Sequence, residues 1–205
     1  MSKEAYIARL FSTPVVIYTI DDDIDILEDI KKEKFNSINS KENLPSQISE
    51  DLNVLDKFPD TKDIVQKYFN IFKNSVMKYN NTSFKLSRSW ATKTTKGQAS
   101  HFHDHKNSMY SGVLYLGETM DETTAPIEFL DRNSGGTSFL IQPTEYNELN
   151  SLEWKLLPQK NMIIFFPSNL MHRIGTHDSE EDRYSISFNF FPVGQYGIED
   201  SYISL

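Results

Sequence analysis

From Ser83 onward the chain breaks into short β-type runs separated by turn residues, and this rhythm restricts the fold more than any other feature of the sequence. The runs cover residues 84–94, 100–105, 110–116, 127–130, 139–142, 162–166 and 183–191. Each is rich in β-branched or aromatic residues, and most are too short for a stable helix. Many short strands at such spacing bury their apolar faces by forming a sandwich or barrel. Upstream, residues 14–20 read as a further strand, 24–34 as a short helix and 36–45 as a loop. Residues 61–79 carry Ile64, Val65, Tyr68, Phe69, Phe72, Val76 and Met77 at helical spacing, with Asp60 or Thr61 available as a cap. That stripe predicts a helix lying on a sheet. The expected class is mainly β with supporting N-terminal helices.

At 205 residues the chain is long enough for one domain with a substantial core. The expected division is an N-terminal strand with supporting helices over 1–82, a β core over 83–195 and a tail over 196–205. With no cysteine there is neither a disulfide framework nor a thiolate metal site, so any metal must be held by His, Asp or Glu. The net charge of −8 argues against general affinity for nucleic acid backbones. No apolar run approaches the roughly 20 residues needed to cross a bilayer. Residues 1–10 contain Glu4 and Arg9 and no continuous apolar stretch, unlike a signal peptide. A cytoplasmic location is expected, with no membrane partner.

Four of the five histidines fall where a metal site would want them. His101, His103 and His105 alternate, so an extended backbone directs all three to one face and two of them can reach one ion. His172, at the end of the Phe166-Pro167-Ser168 segment, offers a third nitrogen from a second strand. Eleven residues later comes Arg183-Tyr184-Ser185, a candidate carboxylate clamp. Paired ligands, a distant third and a basic anchor are the layout of a non-haem iron site. The pair can be His103 with His105 or, equally well by spacing, His101 with His103. On the strand over 183–191, Ile186, Phe188 and Phe190 share one face. Arg183, Ser185, Ser187 and Asn189 share the other, which either lines a pocket or meets water. Tyr115 is either core or site. Trp90 and Trp154 read as packing residues, His177 as a solvated loop residue, and Asn107 and Ser108 as shapers of a turn.

Residues 103–116, His-Asp-His-Lys-Asn-Ser-Met-Tyr-Ser-Gly-Val-Leu-Tyr-Leu, resemble the ligand strand of the 2-oxoglutarate- and Fe(II)-dependent oxygenases of bacteria and phages, with their His-x-His and Ser-Gly-Val. The Phe-Pro-Ser-x-x-x-His segment of that family is matched by residues 166–172, and its Arg-x-Ser-x-x-x-Asn strand by 183–189. Leu10-Phe11-Ser12-Thr13-Pro14 resembles its opening. The resemblance is close over 83–193 and thin over 20–80.

The resemblance implies a double-stranded β-helix, a jelly roll of two facing sheets with iron between them at one end. It implies His103, His105 and His172 as metal ligands, and Arg183 and Ser185 as the clamp for the far carboxylate of 2-oxoglutarate. The planar guanidinium fork suits that contact. Tyr115 resembles the strand tyrosine that touches the same carboxylate in prolyl-hydroxylase-like enzymes. The chain departs from the wider fold in two places. His105 stands where many members have Asp, the side chain of Asp104 being expected on the opposite face. Thr92 stands in Trp90-Ala91-Thr92 where relatives have Asn, and keeps a hydrogen-bonding group for the cosubstrate.

The implied activity is that of a dioxygenase, in most cases a hydroxylase releasing succinate and carbon dioxide, on a small-molecule or peptide substrate. The alternative is a jelly-roll protein that binds metal without oxidising anything, a reading motivated by the missing carboxylate. A homodimer is compatible with either. Residues 117–126, with Glu118, Asp121 and Glu122, and residues 133–136 are candidate rims of the pocket, and the acidity of the first points to a basic substrate.

Overall fold

The computed structural model describes residues 12–37, 45–117, 120–131 and 142–205. In chain order its elements are β1 (Val16–Thr19), α1 (Leu27–Ile30), β2 (Phe35–Ser37), β3 (Gln47–Ser49), α2 (Pro59–Ile71), β4 (Ser83–Thr94), β5 (Tyr110–Leu116) and β6 (Ile127–Leu130). There follow β7 (Glu153–Leu156), β8 (Met162–Pro167), β9 (Met171–Ile174), β10 (Arg183–Val193), β11 (Gln195–Tyr196) and β12 (Ile203–Ser204). Seven strands form one antiparallel sheet in the order β1-β8-β5-β10-β4-β3-β2, and three form a second in the order β7-β6-β9. No helix among the described residues is long and apolar enough to cross a membrane.

Strand alternation divides the apolar residues of the large sheet between two cores. Leu114, Ile163, Phe165, Ile186, Phe188 and Phe190 point outward and meet Val65, Tyr68, Phe69 and Phe72 of the helical layer. Phe69 stacks on Phe190 with ring centroids 3.6 Å apart, and Phe72 stacks on Phe165 at 5.6 Å. Val113, Tyr115, Ile164 and Phe166 point inward and pack against Ile127 and Phe129 of the small sheet. The apolar face expected on the strand over 183–191 is thus the helix-facing one. Its polar face is left to line the space between the sheets.

Gly112 is where β5 can take no side chain. A Cβ there would collide with the carbonyl oxygen of Ile164 and the ring of Phe188. The Ser-Gly-Val signature therefore has a packing cause.

Several expectations need correction. α2 begins at Pro59, with Phe58 preceding it and no side-chain cap, while Thr61 is buried. Proline suits the first helical position because its missing N–H has no intrahelical partner there. Beyond Ile71 the helix continues as a π-turn over Phe72–Val76, so it ends short of Tyr79. The helix expected over 24–34 is a single turn. Residues 36 and 37, read as loop, complete β2. The run over 100–105 is not a regular strand. It joins β9 through one bridge, between His103 and His172. Ser100 N–H also donates to Ile174 O at 3.0 Å, leaving three steps on one side against two on the other, and the mismatch breaks the ladder. Strands β7 and β9 were not expected. The run over 139–142 lies outside the described residues except for Gln142, which is in no strand.

Candidate metal centre

His103 and His172 exchange backbone hydrogen bonds, each N–H donating to the other's carbonyl at 2.9 Å, so their side chains rise together from adjacent segments. His105 N–H donates to Ser168 O at 2.9 Å, which ties the next turn of the same segment to the approach of β9. The three imidazoles converge: one nitrogen from each lies within 4.8 Å of the others, and among the described residues no other group of three metal-binding side chains forms. His101 stays outside this group. It is exposed, its ring 5.4 Å from that of His103. Asp104 also stays outside, with Lys106 Nζ 2.7 Å from its carboxylate.

The hydrogen bonds orient two of the rings for ligation. Nδ1–H of His103 donates to His101 O at 2.9 Å and Nδ1–H of His172 donates to Leu170 O at 2.8 Å, which leaves both Nε2 lone pairs directed into the site. Nε2 of His105 is 3.1 Å from Nε2 of His172. Two nitrogens bound at right angles to one ion at about 2.1 Å would be separated by about 3.0 Å, so this pair fits a shared metal. Burial, with a further contribution from His103, pushes His105 down to about 4 and His172 down to about 3. Both are neutral donors at pH 7, as a metal requires.

One small cavity of about 50 Å³ joins these histidines to Arg183, Ser185 and Thr92. Arg183 is only 4% exposed, which excludes the surface alternative. Burial lowers its pKa, yet no carboxylate pairs with it among the described residues. Nη1 of Arg183 donates to Ser185 Oγ at 3.3 Å, while its Nε has no hydrogen-bond partner. The guanidinium lies 5.0 Å over the Tyr115 ring, whose buried hydroxyl is also without a partner. A buried cation with an unmatched donor in the wall of a cavity, beside a second unmatched donor on Tyr115, suits an anionic group with acceptor oxygens. Thr92 pairs with Ser185 across β4 and β10 and is buried in the same wall.

Sequence reasoning missed several contributors. Trp90 does more than pack: its ring lies 5.4 Å from that of His105 and lines the cavity. The motif residues Ser111, Ser168 and Asn189 join Ser108 in a buried hydroxyl chain. Its links are Ser111 Oγ to Asn189 Oδ1 at 2.7 Å, Ser111 Oγ to Ser168 Oγ at 2.8 Å and Ser168 Oγ to Ser108 Oγ at 2.9 Å. Ser168 also donates its backbone N–H to Met109 O at 3.0 Å. It thereby connects the segment carrying His105 to the one carrying His172. The shared serine spacing of the motifs was the available signal, but only the fold shows that they meet. Asn107 shapes the turn as expected, with a positive φ of 56°.

His177 is corrected from solvated to buried, at 1% exposure. Its Nδ1 accepts from Ala125 N–H at 3.0 Å and its Nε2–H donates to Glu181 O at 2.7 Å, so it pins two loops together. Trp154 is corrected in the opposite sense, from packing residue to 46% exposed. The candidate rim over 117–126 borders a second cavity behind Arg183, which it lines through Gly117, Met120 and Thr124. It joins the end of β5 that is remote from His105. Glu118 and residues 133–136 lie outside the described residues.

The fold has relatives among solved structures. A prolyl-4-hydroxylase of Pseudomonas putida superimposes with a TM-score of 0.58 at 12% identity, over 87% of this chain and 93% of that one. The α-ketoglutarate-dependent epimerase SnoN from nogalamycin biosynthesis gives 0.64 at 11% identity, over 91% and 82%. HygX from Streptomyces hygroscopicus, solved with nickel, 2-oxoglutarate and hygromycin B bound, gives 0.61 at 10% identity, over 88% and 83%. These likenesses show the fold, the double-stranded β-helix of 2-oxoglutarate oxygenases. No curated protein matches the sequence. Residues 88–189, from within β4 to Asn189 of β10, match the model of a family described as "Putative 2OG-Fe(II) oxygenase". Over that segment, just under half of the chain, the sequence matches the 2OG-Fe(II) oxygenase family.

Proposed function

We propose that the chain is an Fe(II)- and 2-oxoglutarate-dependent dioxygenase that hydroxylates an organic substrate with release of succinate and carbon dioxide. The observation that carries this reading is a single cavity with three converging imidazoles at one part of its wall and a buried, carboxylate-free arginine at another. His103, His105 and His172 would hold the metal, and burial keeps His105 and His172 neutral at pH 7, as ligation needs. Arg183 and Ser185 would hold the far carboxylate of 2-oxoglutarate, and the Tyr115 hydroxyl and Thr92 complete its surroundings. When bound, the iron and the keto acid supply the dioxygen chemistry; the protein supplies placement and a dry wall.

The residues divide that work. The backbone carbonyls of His101 and Leu170 fix which nitrogen of His103 and His172 faces inward. Trp90, Val113 and Phe166 make the adjoining wall apolar and exclude water from the reacting end. Arg183, permanently cationic, offers its fork to a dianion without any proton transfer.

A metal-binding protein without oxygenase activity is the second reading, favoured by the absence, among the described residues, of a carboxylate from the histidine group. A structural metal site has no use for Arg183. The deciding experiment is to load the protein with Fe(II), titrate 2-oxoglutarate and follow succinate release with candidate substrates. Saturable 2-oxoglutarate binding with succinate formation is expected. Metal binding with no affinity for 2-oxoglutarate would leave only the second reading.

A further inference from the structure

The small sheet ends on an open edge. β7 bonds to β6 on one side, and among the described residues no strand pairs with its other side. Such an edge presents a row of backbone donors and acceptors to any second strand. This one also carries exposed apolar groups, with Leu152, Trp154 and Leu157 each about half accessible.

The register tells which groups face outward. Asp131 N–H donates to Leu152 O at 2.8 Å, and Phe129 lies opposite Trp154. In an antiparallel ladder the bonding direction alternates, so Leu152, Trp154 and Leu156 direct their backbone groups to β6. Glu153 and Lys155 direct theirs away from the sheet. Their side chains share the outer face with Glu128, which Lys155 Nζ reaches at 2.7 Å while remaining 60% exposed.

We propose that two copies of this chain associate by antiparallel pairing of β7 with β7 about a twofold axis at Trp154, making one continuous six-stranded sheet. In that register the outward N–H and C=O groups of Glu153 bond to those of Lys155 of the second copy. The same pairing sets each carboxylate beside an ammonium, and it occurs twice by symmetry. Leu152 faces Leu156 of the second copy, and the two Trp154 side chains lie together on the concave face. The stretch Leu152-Glu153-Trp154-Lys155-Leu156 is thus complementary to itself when reversed. Slipping by one bonding step in either direction sets Glu153 against Glu153, or Lys155 against Lys155, so like charges exclude the neighbouring registers. Lys155 has three N–H donors and can serve Glu128 and Glu153 of the second copy together.

Sedimentation velocity over a dilution series of the full chain tests this, with thermal melting to verify folding. The native protein is expected to pass from monomer to dimer as concentration rises. Glu153→Lys and Lys155→Glu should each raise the dimer dissociation constant about tenfold or more, since two attractive pairs become repulsive. An equimolar mixture of the two variants should associate again, because opposite charges face each other in the mixed dimer. A native protein that stays monomeric throughout overturns the proposal, as do variants that dimerise like the native chain or a mixture of folded variants that fails to associate. Glu153→Lys leaves the Glu128 pair intact, so unchanged dimerisation of that variant alone is sufficient to overturn it.

Discussion

Arg183 is the residue on which the functional reading turns. Its burial without a carboxylate is costly unless an anion satisfies it, and Nε is already without a partner. Arg183→Ala should therefore weaken 2-oxoglutarate binding on the order of 10–100-fold, the loss of a charge-assisted pair of hydrogen bonds worth about 1.5–3 kcal/mol. Arg183→Lys should recover only part of it, since a point charge cannot reproduce the fork. Calorimetric titration of the metal-loaded protein measures both, and near-native affinity in Arg183→Ala would remove the assigned role. The histidines allow an equally direct comparison. His105→Ala should lower cobalt(II) affinity at least about tenfold, whereas His101→Ala should leave it nearly unchanged. The visible absorption of bound cobalt reports each, and the reverse order would make His101 the ligand.

At the scale of elements, the segment carrying His103 and His105 is not a regular strand and depends on cross-links to β9 and its approach for its geometry. Ser168 is the junction, with its backbone bonded to Met109 and His105 and its hydroxyl to Ser108 and Ser111. Ser168→Ala should cost about 1–3 kcal/mol by urea denaturation, because it leaves buried hydroxyls short of a partner. It should also lower metal affinity about tenfold, through less exact placement of His105 and His172. A stability loss with unchanged metal affinity would confine the network to a structural role. Gly112→Ala tests the sheet itself. The methyl group would meet the Ile164 carbonyl and the Phe188 ring, so a loss of about 3 kcal/mol or failure to fold is expected.

For the molecule as a whole, the neutral buried histidines make the metal-free protein acid-sensitive. His105 and His172 have folded pKa values near 4 and 3, below the ordinary 6.5. The unfolded chain therefore binds more protons at low pH, and unfolding gains over folding as pH falls. Their contribution is fully present above about 6.5 and is lost as pH drops toward 4 and then 3. The same window contains the start of a second loss. Burial raises the Glu128 pKa, but its bonds to Lys155 and Arg173 outweigh this and hold it below its usual value, so its contribution fades below about 4.5. Thermal melting of the metal-free protein should fall from pH 7 to 4, and His172→Ala should flatten the upper part of that curve. Saturating metal at pH 7 should raise the melting temperature, and a titration flat between 7 and 4 would contradict the burial argument.

The sequence alone determined the class of fold, because alternation on 110–116, 162–166 and 183–191 must bury one or both faces, and the stripe on α2 must cover one of them. It also marked His103, His105, His172 and Arg183 by spacing and motif, while leaving His101 against His105 and Arg183 inside against outside undecided. Those choices depend on contacts far apart in the chain. The bridge between His103 and His172 brings together residues 69 positions apart in sequence, and it is His105 and not His101 whose ring nitrogen converges with theirs. Strand order places Arg183 in the wall of the same cavity. Local pattern misjudged His177 and Trp154 for the same reason: a polar loop is buried by two others, while an apolar strand residue sits at an open edge. Burial is a property of neighbours, and neighbours are set by tertiary structure.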